Sequence, residues 1–200
     1  MWLVLGTGNR KKGLELIELL AVVGIELRTL ADFPSAIEVV ESGDTFAENA
    51  ALKAVEQARH LGHWVLGEDS GLMVDALDGR PGVFSARYSG PDATDASNNG
   101  LLLQELGETP AARRTARYVC HMTLSDPSGT IRAESEASCH GRILTEPQGM
   151  GGFGYDPLFE IVEYHRSFGA LGAVAKACLS HRARAARQLV PQLLRLDDLR

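Results

Sequence analysis

Residues 2–6 form a short apolar run that stops at Thr7-Gly8-Asn9, which predicts a strand ending in a polar turn. Leu14, Ile17 and Ala21 then recur at helical spacing, with Lys11 and Glu15 four apart on the solvent side. Gly24 closes that helix, and residues 25–30 resume as a strand. Thr45-Phe46-Ala47-Glu48 has the form of a capping box, and an Ala-rich helix runs on over 50–61 to Gly62. Residues 63–66 and 72–77 are apolar and read as strands interrupted by an acidic loop, Gly67-Glu68-Asp69-Ser70-Gly71. An amphipathic helix is expected over 92–106. Two long strands, 115–125 and 130–143, form a hairpin around Asp126-Pro127-Ser128-Gly129. Residues 149–154 are a glycine-rich loop, and a last amphipathic helix covers 180–196. Helices and strands are intermixed, so the expected fold is α/β with a mixed sheet. No repeat or long linker divides the chain, and residues 1–200 read as a single domain.

Composition narrows the class. The chain is 44% hydrophobic and 23% charged, as soluble globular chains are. No stretch approaches the roughly 20 apolar residues that a membrane-spanning helix needs. The first residues carry no basic leader, and the three cysteines follow no metal or redox spacing, so a reduced, cytoplasmic protein is expected. Twenty basic against 26 acidic residues leave a net charge of −6, which disfavours a nucleic-acid binder. The basic clusters Arg10-Lys11-Lys12 and 182–187 are short, and suit a small polyanion better.

Five segments could carry chemistry. The strand-turn-helix junction at Thr7, Gly8, Asn9, Arg10, Lys11 and Lys12 offers backbone N–H groups and ammonium groups to an anion, or is an ordinary turn with solvated lysines. It lacks the glycine–lysine–Ser/Thr ending of a Walker loop. Glu48 is a helix-capping acid or a magnesium ligand, with Lys53 further along the same helix. Glu68 and Asp69 are adjacent carboxylates between apolar runs: either a solvated acidic turn, or costly to bury without a cation, in which case Asp69 could ligate magnesium or take a proton from water. Ser70 follows, without the nucleophile-elbow pattern of a serine hydrolase. The loop ending Phe153-Gly154-Tyr155-Asp156-Pro157 matches the dinucleotide glycine pattern only literally, since no helix can start there. It is better suited to wrapping a planar ring with its aromatics stacking and Asp156 reading polar edges, or it is a bulged loop with two core aromatics. Lys176 and Ser180-His181-Arg182 are a helix start with a solvated arginine face, or a site for a base carbonyl or phosphate.

The order of these segments is more specific than any one of them. Thr-Gly-Asn with its lysines, Thr-Phe-Ala-Glu-Asn-Ala with Lys53, and Glu-Asp-Ser-Gly-Leu come first. Arg80-Pro81-Gly82-Val83-Phe84-Ser85-Ala86-Arg87-Tyr88, Gly152-Phe153-Gly154-Tyr155-Asp156-Pro157 and Ser180-His181-Arg182 follow. Together they closely resemble the inosine/xanthosine triphosphate pyrophosphatase (Ham1-like) family over nearly the whole chain. The resemblance implies an elongated mixed sheet flanked by helices, in two lobes around an active-site cleft, and a homodimer. It implies magnesium-dependent hydrolysis of ITP, dITP and XTP to monophosphate and pyrophosphate. Residues 7–12 and Lys53 would hold the triphosphate, and Glu48 and Asp69 the magnesium, with Asp69 as general base and Ser70 beside it. Phe153, Gly154, Tyr155, Asp156, Lys176, His181 and Arg182 would hold the nucleoside. The Maf-like pyrophosphatases and a non-catalytic nucleotide sensor are the alternatives. The first differs in its N-terminal and base-loop motifs, and the second predicts loss of Glu48 or Asp69, both of which are present.

Overall fold

Side-chain alternation along two neighbouring strands sets out the first part of the molecule. A computed structural model of the chain describes residues 2–196. In β1 (Trp2–Leu5), Leu3 and Leu5 point to one face of the sheet and Val4 to the other. β1 runs parallel to β2 (Glu26–Thr29) on one side and to β3 (Trp64–Val74) on the other. Leu3, Leu5 and Leu66 pack under α1 (Arg10–Leu20) and α6 (His181–Leu193), against Leu16, Leu20, Ala185 and Leu189. Val4 and Val65 pack on the opposite face with Ala58 of α2 (Phe46–Leu61). Helices therefore cover both faces of the sheet here, as parallel strands require.

Residues 64–74, expected as two strands around an acidic loop, form one continuous strand. The glycines and carboxylates of 67–71 argue locally for a loop, but the segment is an interior strand whose neighbours on each side decide its conformation. Gly67 has a specific reason to be glycine. A Cβ there would lie 2.1 Å from the Ala50 carbonyl oxygen and 2.7 Å from the Ala54 nitrogen, so α2 lies on β3 backbone to backbone.

The remaining strands are β4 (Thr115–Ser125), β5 (Ile131–Ile143), β6 (Phe159–Ile161) and β7 (Arg166–Ser167). The order among the described residues is β2-β1-β3-β4-β5-β6-β7, and β6 runs antiparallel to both β5 and β7, so the sheet is mixed as expected. The chain divides into two compact units. Among the described residues, unit 1 comprises 2–69, 120–137 and 182–196, and unit 2 comprises 70–119 and 138–181.

Unit 2 has its own core. Leu72 and Val74 of β3, Ala116 and Tyr118 of β4, and Phe159 pack with Leu102 and Leu106 of α3 (Asp95–Leu106). Two short helices, α4 (Phe168–Leu171) and α5 (Ala173–Leu179), complete it. α3 starts at Asp95 rather than at residue 92, because the Thr94 hydroxyl accepts from the Ser97 N–H and caps the helix.

Candidate active site

Glu68 and Asp69 are neighbours in a strand, so they leave its two faces in opposite directions. Glu68 points toward α1 and α6. Its Oε1 accepts from Arg182 Nη2 at 2.9 Å and Nε at 3.2 Å, and its Oε2 lies 3.1 Å from Lys12 Nζ. Arg182 Nη1 donates to Glu15 at 2.5 Å. Glu15, expected beside Lys11 on the solvent side, also reaches this buried guanidinium. The Cys120 thiol donates to Glu68 at 3.4 Å, and burial first, then the Glu68 charge, pushes that thiol up, so it stays protonated. Arg182 lies almost wholly buried, against the solvated face expected of it, and Glu68 and Glu15 keep it charged although burial opposes the charge.

Asp69 points toward α2. Lys53 Nζ donates to Asp69 Oδ1 at 2.9 Å and to Glu41 at 3.2 Å, and Asn49 Nδ2 donates to Asp69 Oδ2 at 3.5 Å. Burial raises the Asp69 carboxyl above its ordinary value, and Lys53 and Lys12 offset only part of that effect. Burial alone would lower Lys53, but Asp69, Glu68 and Glu41 together outweigh it and hold the ammonium charged. The result is a carboxylate more basic than usual beside a fixed cation.

The turn at 7–12 is an exposed helix start. Asn9 caps α1, its Oδ1 accepting from the N–H groups of Lys11 at 3.0 Å and Lys12 at 3.2 Å, while Thr7 Oγ1 accepts from the Asn9 N–H. A Cβ on Gly8 would meet nothing within 4 Å, so the backbone there is open to an approaching group. Arg10 and Lys11 are exposed and Lys12 half-buried.

Glu48 is the acid of a complete capping box. Its Oε2 accepts from the Asp44 and Thr45 N–H groups at 2.8 and 3.0 Å, while the Thr45 hydroxyl accepts from the Glu48 N–H at 3.1 Å. Glu48 lines a cavity of about 560 Å³ with Leu52, Val55 and Arg59. Among the described residues no three His, Cys, Asp or Glu side chains converge on a cation position. That donor set suits magnesium held by one or two carboxylates together with substrate phosphate oxygens, and does not suit an all-protein cage. Glu41, which shares Lys53 with Asp69, carries no motif and was not foreseen.

Unit 2 holds the other group. Asp156 is buried. Its Oδ2 accepts from Lys176 Nζ at 2.6 Å and from the Phe153 N–H at 2.8 Å, and its Oδ1 lies 3.5 Å from the Tyr118 hydroxyl. Lys176 Nζ sits 4.1 Å from the centre of the Phe153 ring, a cation–π contact that leaves the ring half-buried at the loop. His181 stacks on Tyr118 with ring centres 4.6 Å apart and planes 8° from parallel. Tyr155, expected to stack on a ligand, is buried in the core with its hydroxyl donating to the Ser85 carbonyl at 2.8 Å. Phe153, half-buried, is thus the more accessible of the two loop aromatics. Ser70, the first residue of unit 2, is half-buried. Arg182 belongs to unit 1, where it pairs with Glu68. Tyr118 is a residue that sequence reasoning missed; its place in a long alternating strand reads only as core.

A mixed α/β sheet carrying a lysine-rich helix start and a buried aspartate held on a lysine is the arrangement of an α/β protein built to take an anionic ligand. Within that class the chain belongs to the Ham1 family, whose model matches residues 3–192. A dITP/XTP pyrophosphatase of Rhodopirellula baltica is 56% identical over 194 residues, covering 97% of this chain and 93% of the relative. One from an Exiguobacterium species is 48% identical and covers 97% of each. The solved structure of a HAM1 protein from Coxiella burnetii superimposes with a TM-score of 0.89 at 35% identity, over 98% of this chain and all of that one.

Proposed function

We propose that this chain hydrolyses the non-standard purine triphosphates dITP, ITP and XTP to the monophosphate and pyrophosphate, using magnesium. The coarse class, a hydrolase acting on phosphoric anhydrides, is that of its relatives. The observation that carries the finer reading is Asp69, a buried carboxylate raised in basicity and held against Lys53.

Asp69, held in place by Lys53 and Asn49, takes the proton from a water that attacks the α-phosphorus. Lys53 and Lys12 provide fixed positive charge for the departing pyrophosphate, already desolvated and held in place by Asp69 and Glu68. The open turn at Gly8, with Thr7, Asn9, Arg10 and Lys11, receives the outer phosphates. Asp69, with the Glu48 oxygen that the capping box leaves over, would hold magnesium, which supplies charge neutralisation on the phosphate oxygens. Ser70 assists beside Asp69. Arg182 and Glu15 act on the phosphate side by fixing Glu68.

Phe153, Gly154, Asp156, Lys176 and His181 take the base. Hypoxanthine and xanthine present an acceptor oxygen where adenine presents an amine, so an N–H donor from His181 or the loop favours the first two. We read the 200 residues as one functional domain, acting as a cytoplasmic homodimer on the nucleotide pool. No described helix is long and apolar enough to cross a membrane.

The test is pyrophosphate release from ITP, dITP, XTP, ATP and GTP by the purified protein with magnesium. Preference for the first three supports the proposal. Equal release from all five leaves the chemistry and removes the specificity, and binding without turnover favours a nucleotide sensor.

A further inference from the structure

The conspicuous segment at 80–88 has no part in the chemistry above, yet it lies under the base loop. The Tyr155 hydroxyl ends on the Ser85 carbonyl, and Ser85 is itself fixed: its Oγ accepts from the Leu72 N–H at 2.8 Å and donates to the Gly82 carbonyl at 2.6 Å. Asn98 of α3 holds the same stretch, donating to the Ser85 and Ala86 carbonyls at 3.3 and 3.2 Å and accepting from the Ser89 N–H at 2.8 Å. The next residue of the helix reaches the loop directly. Asn99 Nδ2 donates to the Gly154 carbonyl at 3.0 Å.

Gly154 has φ of +62°, so its peptide orientation is one of several a glycine could take, and needs an outside contact to select it. Asn99 supplies that contact at a cost. Its Oδ1 is buried without a hydrogen-bond partner among the described residues, and turning the amide over would set oxygen against the Gly154 oxygen. A leucine would avoid the cost but could not hold the loop. Such a residue is explained by what it positions rather than by stability.

We propose that Asn99 and the Tyr155 hydroxyl are positioning residues for base recognition, locking the turn at Phe153–Asp156 to α3 and the 80–88 segment so that its N–H groups and the Phe153 face are preset for a 6-oxopurine. This rests on the assignment of the loop to the base. Without the lock, the loop samples other orientations, and the ligand must select the competent one, which weakens binding by the fraction populated.

The experiment compares the parent with Asn99→Leu and Tyr155→Phe, measuring kcat and KM for dITP, thermal midpoint, and inhibition by inorganic tripolyphosphate, which has no base. For each variant the expected result is a rise of about tenfold in KM for dITP, the scale of one lost hydrogen bond. kcat should stay within about twofold, tripolyphosphate inhibition unchanged, and the midpoint of Asn99→Leu no lower than the parent's, since it loses a costly acceptor. A merely structural role would lower the midpoint or affect tripolyphosphate equally. KM within about twofold of the parent in both variants overturns the inference; should Asn99→Leu not fold, Tyr155→Phe alone decides. A parent that releases no pyrophosphate from dITP overturns the underlying function, and this inference with it.

Discussion

Each unit holds one buried Asp–Lys pair, and the two are completed differently. In unit 2, Asp156 is enclosed: Lys176 at 2.6 Å, the Phe153 N–H at 2.8 Å and the nearby Tyr118 hydroxyl surround the carboxylate, and the ammonium lies on an aromatic face. In unit 1, Lys53 is shared between Asp69 and Glu41, Glu68 is close enough to bear on both, and Asp69 is left more basic than normal. A carboxylate surrounded by donors has been given a fixed orientation. One that burial still penalises keeps the capacity to accept a proton. The same two residue types thus fix a loop in one unit and, on the mechanism proposed above, supply a base in the other.

The comparison is tested most severely at Asp69. Asp69→Asn should lower kcat by about 10²–10⁴-fold, the range for a lost general base, with a far smaller change in KM. The parent should also lose kcat/KM as pH falls through a value above the ordinary 3.8, because the base must be ionised and burial raises it. The pH profile of pyrophosphate release measures this, and an acid limb at or below that value would contradict the assignment. The sign for stability is opposite. A raised folded pKa favours the protonated form, so this group's stabilisation is present at low pH and is lost as pH rises through that value.

Asp156→Ala should act on stability first. It leaves Lys176 buried without this carboxylate and removes the acceptor of the Phe153 N–H, a loss of about 3 kcal/mol in urea unfolding. A companion Asp156→Leu/Lys176→Met variant should recover much of that stability without recovering base preference. If it recovers both, the pair is only structural.

The smallest effect concerns Tyr118. Tyr118→Leu removes the stack under His181, worth about 0.5–1.5 kcal/mol, and should reduce the preference for dITP over dATP by about two- to tenfold. Tyr118→Phe, which keeps the ring, should restore it.

Much of this was legible in the sequence. The capping box at Thr45–Glu48, the polar turn at 7–9 before α1 and the long hairpin strands follow from local rules, and local rules predicted them. The strand through 64–74 did not, because its glycines and carboxylates are placed for contacts with α2, α1 and α6 that no local pattern encodes. The site divides in the same way. Asp69, Lys53, Asp156 and Lys176 stand in recognisable motifs, whereas Glu41, Tyr118 and Asn99 matter only through partners distant in the chain. Arg182 was legible as a residue but not as a buried partner of Glu68, since burial of an arginine depends on acids supplied by other elements.

Having Glu68 and Asp69 consecutive in an interior strand places a parity constraint on the chain's evolution. Deleting or inserting one residue between Trp64 and Gly67 would exchange the faces of everything beyond it, sending Asp69 toward Arg182 and Glu68 toward Lys53. Length changes in this strand can accumulate only in steps of two, and even those must still bring a glycine to the point where α2 touches it. Variation in chain length among descendants should therefore collect in the connections outside β3, leaving the spacing from Trp64 to Asp69 fixed.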